Sequence, residues 1–359
     1  MTSTPSGPAA TTVARSPHSI RRTSHIDVVF TEPSMTGPLT LRGGARDLYT
    51  DGAGVGTVLD EAQVEAPLDA DRRLRLLRTT PSMTGTSQLE GLVVGPGFRS
   101  ALARAAGRGS AARSPLYLLL DDLPVVALIS GYAMVYRIGQ SGSGQSGLGQ
   151  SGGNLGGSPG ANQSPMLKGD VCAGWRSDGT MMVALRSGQG MPVSIGPAAP
   201  SLLDPEDPIG WHHIEEMAVP SMRRRRLIDV TSGDPLTVQA MFRDSHRAED
   251  GLETVLHEYS VEASVDPETS EVLDCQATPR SLPWTECPEA ADSAERLAGQ
   301  RVESLRSFVR ENLTGTTTCT HLNDLLRSLT DVAALSQILR AHTGPGDQPA
   351  AARQKGETT

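Results

Sequence analysis

Cys319 and His321, two apart in TCTHLNDLLRSLT (318–330), are the residues whose types and spacing point most directly to chemistry. Leu322, Leu325, Leu326 and Leu329 recur at helical spacing behind them, which predicts one helix with a buried face and the cysteine at its start. A helix start gathers unpaired N–H groups and a partial positive charge, so the Cys319 thiol pKa is expected to fall. Two residues span about 200° of a regular helix, so the pair converges only if Cys319 sits at the cap. Thiolate and imidazole could then share a metal ion with further ligands. His257 on the HEY segment and Cys287 ahead of an earlier helix are the expected partners, with Asp244 or His246 as substitutes. The expected metal set is therefore His257, Cys287, Cys319 and His321, holding zinc, iron or an iron cluster.

Two other readings compete. In a cysteine-dependent hydrolase or lyase, Cys319 attacks a thioester or small carbonyl compound, His257 or His321 is the base and Asp244 orients it. In a non-catalytic partner subunit, the cysteines are small apolar core residues and the histidines pair locally. Whether the chain is an enzyme stays open. Trp211-His212-His213 with Glu215 and Glu216 is a runner-up metal cluster, and Cys172 in CAGW is expected in the core of a strand. Arg223–Arg226 is expected to be structural, with alternate side chains solvated along an edge strand. The Gly-rich segments lack the GK[ST] ending of a phosphate loop, so nucleotide binding has no support.

These residues need elements to position them. From Arg223 the chain predicts strands at 225–230, 238–242, 254–265 and 271–277, then a helix from Pro288 to Gly299 and another over 301–313. The first half echoes this order: Arg21-Arg22 and Ile26-Asp27-Val28 match Arg223-Arg224 and Ile228-Asp229-Val230. Arg46-Asp47 matches Arg243-Asp244, and Leu119 and Asp121 match Leu322 and Asp324. The expected fold is thus α+β, two diverged copies of an antiparallel four-stranded sheet covered by helices. Leu116 and Leu118 stand where the second copy has Cys319 and His321, so the chemistry is placed in the second copy.

The expected divisions are a disordered arm at 1–20, a first copy at 21–137 and a Gly/Ser/Gln-rich flexible insertion at 138–166. A hairpin and extended connector at 167–222, the second copy at 223–341 and a polar disordered tail at 342–359 complete the chain.

Composition limits the partners. A net charge of -9 and 3% aromatic residues argue against nucleic acid. The most apolar stretch, Leu116 to Tyr136, is broken by Asp121, Asp122 and Pro124 and is expected to be buried core, not a membrane span. Four cysteines in 359 residues need no disulfide framework, and reduced thiols in a cytoplasm are the expectation. A protein partner or a homo-oligomer remains open.

RRRRLIDV, MFRDSH, VLHEY, TECPEA and TCTHLNDLL, in that order, resemble a bacterial family of unknown function. Its single-domain members carry an arginine-rich first strand, a lone cysteine before a helix and a terminal Gly-Cys-Thr-His-Leu helix. The resemblance covers Arg223 to Ser336, with Thr318 in place of the glycine and Glu258 in place of the usual aspartate. It implies that His257, Cys287, Cys319 and His321 belong to one motif, and it implies no reaction. More coarsely, strands followed by helices with cysteines at their starts is similar to the sulfur-acceptor and iron–sulfur scaffold fold.

Overall fold

A computed structural model describes residues 4–32, 37–107, 114–140 and 169–343. Among these, eight strands form one antiparallel sheet: β1 (Ser19–Phe30), β2 (Leu39–Thr50), β3 (Gly56–Leu68), β4 (Arg78–Thr80), β5 (Ser221–Thr231), β6 (Leu236–Arg247), β7 (Glu253–Val265) and β8 (Val272–Ser281). Their order is β4-β3-β2-β1-β5-β6-β7-β8, so each half contributes four strands and β1 pairs with β5 at the centre. The expected α+β class with antiparallel strands is therefore found as a single continuous sheet. β2 is a strand that sequence reading left unassigned, and β4 is only three residues long.

Among the described residues six α-helices accompany it: α1 (Phe98–Ala106), α2 (Pro115–Gln140), α3 (Thr180–Arg186), α4 (Leu305–Asn312), α5 (Thr320–Ser328) and α6 (Val332–His342). One apolar core joins Ile26, Leu41 and Val64 of the first half to Leu119 and Val126 of α2. A second joins Val230, Phe242 and Val261 to Leu322, Leu325 and Leu335 of the C-terminal helices. By length and composition alone, Pro115–Arg137 is apolar enough to cross a membrane, but 72% of its most apolar window is buried inside the fold, as expected of a core helix.

Where α2 and α5 meet over the sheet, the packing is charged. Six arginines (Arg22, Arg99, Arg224, Arg226, Arg306, Arg327) interlock with six aspartates (Asp47, Asp121, Asp122, Asp244, Asp324, Asp331). Arg226 is 0% exposed and grips Asp122 of α2 through Nε at 3.0 Å and Nη2 at 2.7 Å, while its Nη1 reaches Ser328 Oγ on α5 at 2.8 Å. Burial of so many charges is tolerable because each stands within ion-pair distance of an opposite charge. The solvated edge strand expected at Arg223–Arg226 is thus overturned: β5 is central, both its faces are covered, and Arg223, Arg224 and Arg226 are buried.

The opposite face of the sheet is covered by two irregular segments. Residues 4–17, whose composition suggested disorder, lie across it: Ala9 N–H donates to Glu258 Oε1 at 2.7 Å, and Arg243 and Arg21 donate to the carbonyls of Ala9 and Val13, each at 2.7 Å. Buried arginines whose remaining N–H groups need acceptors fix the arm, a force that composition does not reveal. Trp211 and Leu202 of the connector pack on Leu227 and Met241 of that face. The hairpin expected at the start of 167–222 is instead a 3₁₀ turn at Ala173–Trp175 followed by α3, whose first residue, Thr180, donates N–H and hydroxyl to Glu286 Oε1 at 2.7 and 2.8 Å. The expected insertion at 138–166 and tail at 342–359 fall largely outside the described residues.

The charged layer carries a stability prediction. Asp122→Ala strands Arg226 without its carboxylate and is expected to cost about 3–5 kcal/mol in urea denaturation. The paired change Arg226→Met with Asp122→Leu should cost less than the single variant. Glu303→Ala, which breaks an exposed pair with Arg301, should cost under about 1 kcal/mol. Equal losses from Asp122→Ala and Glu303→Ala would contradict this picture.

Candidate metal centre

Three neighbouring strands place one polar row on the helix-covered face. Arg224 of β5 lies opposite Asp244 of β6, and Asp244 lies opposite His257 of β7; directly opposed residues share a face. Beyond Asp244 the register shifts, with Leu256 as the extra residue of β7, and such a bulge re-aims neighbouring side chains. The first turn of α5 sets His321 on His257, ring centroids 3.8 Å apart and planes 17° from parallel.

Arg224 fixes the carboxylate. Its Nε and Nη2 donate to the two oxygens of Asp244 at 2.7 and 2.9 Å, and its guanidinium stands 4.8 Å from the Phe242 ring centre. Asp244 Oδ2 is 3.8 Å from His257 Nδ1, beyond hydrogen-bond range. His257 Nδ1 is consequently buried with no hydrogen-bond partner. One ligand atom from each of Asp244, His257 and His321 lies within 4.8 Å of the others, a grouping that among the described residues no other set of histidine, cysteine or acidic side chains matches.

Both imidazoles are held neutral. Burial pushes His257 well below its ordinary value, with His321 and Arg224 adding to the fall and Asp244 opposing it. Burial and then Arg224 push His321 down to about 4. Burial alone would raise the nearby Asp324 carboxyl, but Arg99, Arg327 and Arg224 hold it far below the usual carboxylate range. Neutral imidazole is the ligating form, and a carboxylate oriented by a guanidinium is supported in the way metal ligands usually are. One feature opposes ligation as the rings stand. Imidazole lone pairs lie in the ring plane, and two nearly parallel stacked rings do not aim them at one point about 2 Å from both nitrogens. A shared ion requires one ring to turn.

The expected site residues separate into two groups. His257 and His321 come together with Asp244, whereas Cys287 and Cys319 are not part of that set. Cys319 is the N-cap of α5 at φ −127° and ψ 128°, outside helical geometry. Its thiol, expected to be acidic, is instead raised to about 12 by burial and then by neighbouring Cys172, which outweigh the N–H groups of Leu322 and His321 and the Tyr259 hydroxyl. A buried protonated thiol is a poor nucleophile, so the geometry gives the cysteine-enzyme reading no support. His246 packs against Tyr132 and Tyr136, ring centres 5.4 and 4.7 Å away. His212 is buried and shares a 2.7 Å hydrogen bond with His25, while exposed His213 meets Glu215 at 3.1 Å, so the Trp-His-His stretch forms no metal cluster.

Sequence reasoning missed Arg224 as the residue that fixes Asp244. The available signal was the repeated Arg-Arg and Arg-Asp pairing in both halves, together with aspartates inside otherwise apolar helices, because a buried aspartate demands a cation.

Residues 222–335 match the model of a family described as a protein of unknown function (DUF2889). The match spans 114 of 359 residues (335 − 222 + 1) and contains Arg224, Asp244, His257, Cys287, Cys319 and His321. No curated protein matches the chain, and no solved structure does.

Histidines with depressed pKa values bind fewer protons folded than unfolded, so stability is full above the unfolded value near 6.5 and is lost as pH falls below it. For His321 the loss runs from about 6.5 down to its folded value of about 4. The slope is about 1.4 kcal/mol per pH unit for each such group. His321→Gln should flatten the decline of urea stability across this window by about that amount; an unchanged slope would contradict a neutral, buried His321.

Proposed function

We propose that the C-terminal half binds a divalent transition metal, zinc or iron(II), through His257, His321 and Asp244. The observation that carries this reading is the convergence of three donor atoms within 4.8 Å, two of them on neutral imidazoles and one, His257 Nδ1, buried without a partner. An unsatisfied buried nitrogen points to an ion or water that completes its environment. Two histidines and one carboxylate leave coordination positions open, a ligand set that suits iron(II) or zinc acting on a further ligand. The metal supplies Lewis acidity when bound. Arg224 holds the Asp244 carboxylate, and the stacked rings separate when one of them turns toward the ion. The expected cysteine ligands Cys287 and Cys319 are replaced in this reading by Asp244.

Placement in a reducing cytoplasm is part of the proposal and fits four unpaired, buried cysteines. So is descent of the two halves from one duplicated unit. Matched ion pairs favour it: Arg21–Asp229 and Arg223–Asp27 cross the β1–β5 seam, while Arg22–Asp47 and Arg224–Asp244 lie one strand outward. A register shift follows Asp47 as it follows Asp244. The first half places Asp60 opposite Asp47, where the second half places His257 opposite Asp244.

Calorimetric titration with zinc, and anaerobically with iron(II), tests the reading. Loss of a group that only orients a ligand costs about 10–100-fold in metal affinity, so His321→Ala or His257→Ala should cost at least about 100-fold. His213→Ala, an exposed control, should leave affinity unchanged. Wild-type protein that takes up neither ion, or a His321→Ala variant that binds as tightly as wild type, would end the proposal.

A further inference from the structure

The two halves end their sheets differently. In the second half β7 runs past its pairing with β8, and an extended piece of the connector fills the gap: Val255 N–H donates to the Pro197 carbonyl and Ala199 N–H to the Glu253 carbonyl, each at 2.9 Å. The first half has the same overhang. β4 meets β3 only at Gln63, Val64 and Glu65, and among the described residues no other segment makes a backbone hydrogen bond to the outer edge of β3 over 56–61. Gly56 and Val58 hold the positions of Glu253 and Val255, because Asp60 stands opposite Asp47 as His257 stands opposite Asp244, with a register shift after each. An open edge of this kind is a template for another strand, and folded proteins usually cover one.

The surroundings of the edge define what it takes. Val58 and Ile209, 46% and 42% exposed, present apolar surface, with Ile209 close against Gly56. Asp60 and Glu61 are exposed, and Asp60 stands opposite a like charge, Asp47, which favours a cation beside it. The chain carries a segment of matching character. α6 ends at His342, whose ring centre is 5.0 Å from that of Tyr49, and Tyr49 lies opposite Thr57 across the β2–β3 ladder. Residues 344–359 continue from there. They include Pro349-Ala350-Ala351, the residue types that lie along β7 as Pro197-Ala198-Ala199, followed by the cations Arg353 and Lys355.

We propose that residues 349–355 add to the sheet as a strand along residues 56–61 of β3, entering at the Gly56 end and running parallel to it. Pro349 beside Gly56 places Arg353, four residues on, beside Asp60. The lead of residues 344–348 spans about 16 Å at about 3.3 Å per residue, enough to cross from Tyr49 to the far side of β3, since neighbouring strands lie about 5 Å apart. Pro349 lacks an N–H group, which an outermost strand tolerates. The added strand covers the open edge and ties the end of α6 to the first half.

Amide hydrogen exchange at Val58, whose N–H corresponds to the bonded N–H of Val255, is the readout, measured by NMR on the full-length chain. It is expected to be at least about 10-fold slower than in a chain ended at Thr343, as one added backbone hydrogen bond requires. Arg353→Asp should lose most of that protection, as should Asp60→Arg, and the two changes together should restore it. Equal exchange in the full and shortened chains overturns the inference. So does protection that fades on dilution, because the strand then comes from a second copy. If the shortened chain does not fold, the charge reversals, which keep every residue, decide: unchanged exchange in Arg353→Asp overturns the proposal.

Discussion

The fold depends on neutralising guanidinium groups that have no access to water. Six arginines and six aspartates meet between the sheet, helices α1, α2, α4 and α5 and the turn that precedes α6, in a place where an unpaired charge would cost several kcal/mol. Pairing alone contributes little net stability relative to an apolar replacement, because desolvation offsets the attraction. Its effect is specificity of placement: a bidentate Arg–carboxylate pair has one geometry, so each strand and helix that supplies a partner is fixed in register and rotation. Asp244 is the clearest instance. With both oxygens held by Arg224, the carboxylate stands beside His257 without reaching it, and His257 stays neutral and unpartnered.

The second face follows the same logic with different material. Arg21, Arg223 and Arg243 pair with Asp229, Asp27 and Glu258 and spend further N–H groups on backbone carbonyls of the arm and connector. Irregular segments thereby become the covering layer of a sheet that would otherwise expose one side. The connector also extends the sheet beyond β8: Val255 N–H donates to the Pro197 carbonyl and Ala199 N–H to Glu253, where β7 runs past its last pairing with β8. Gly196 is required there, since a Cβ would fall 1.7 Å from the Val255 oxygen.

Much of the C-terminal half was legible from its residues. Alternation gave the strands from Arg225 to Ala277 to within a few positions, and leucine spacing gave α5 with Cys319 at its cap. β2 was missed because LTLRGGARDLYT interrupts its alternation with Gly43, Gly44 and buried charges. Gly43 has a local reason, since a Cβ would lie 2.1 Å from the His25 carbonyl. The site was half legible. His257, His321 and Asp244 were named, but the cysteines were grouped with them because spacing along a chain does not reveal which side of a helix start a side chain occupies. The acidity expected of Cys319 failed because burial outweighs a helix N-terminus once the sulfur is enclosed in the core. Arginine runs read as solvated for want of knowing that β5 is central.

The account rests on the claim that the Arg224-held carboxylate and two neutral rings make one ion site. A crystal soaked with zinc and measured at the zinc absorption edge addresses it most directly. The account predicts an anomalous peak about 2.0–2.2 Å from an Asp244 oxygen and from a nitrogen of each ring, with one ring turned out of the 17° stack. Rings still stacked, with no peak between them at saturating zinc, would contradict it.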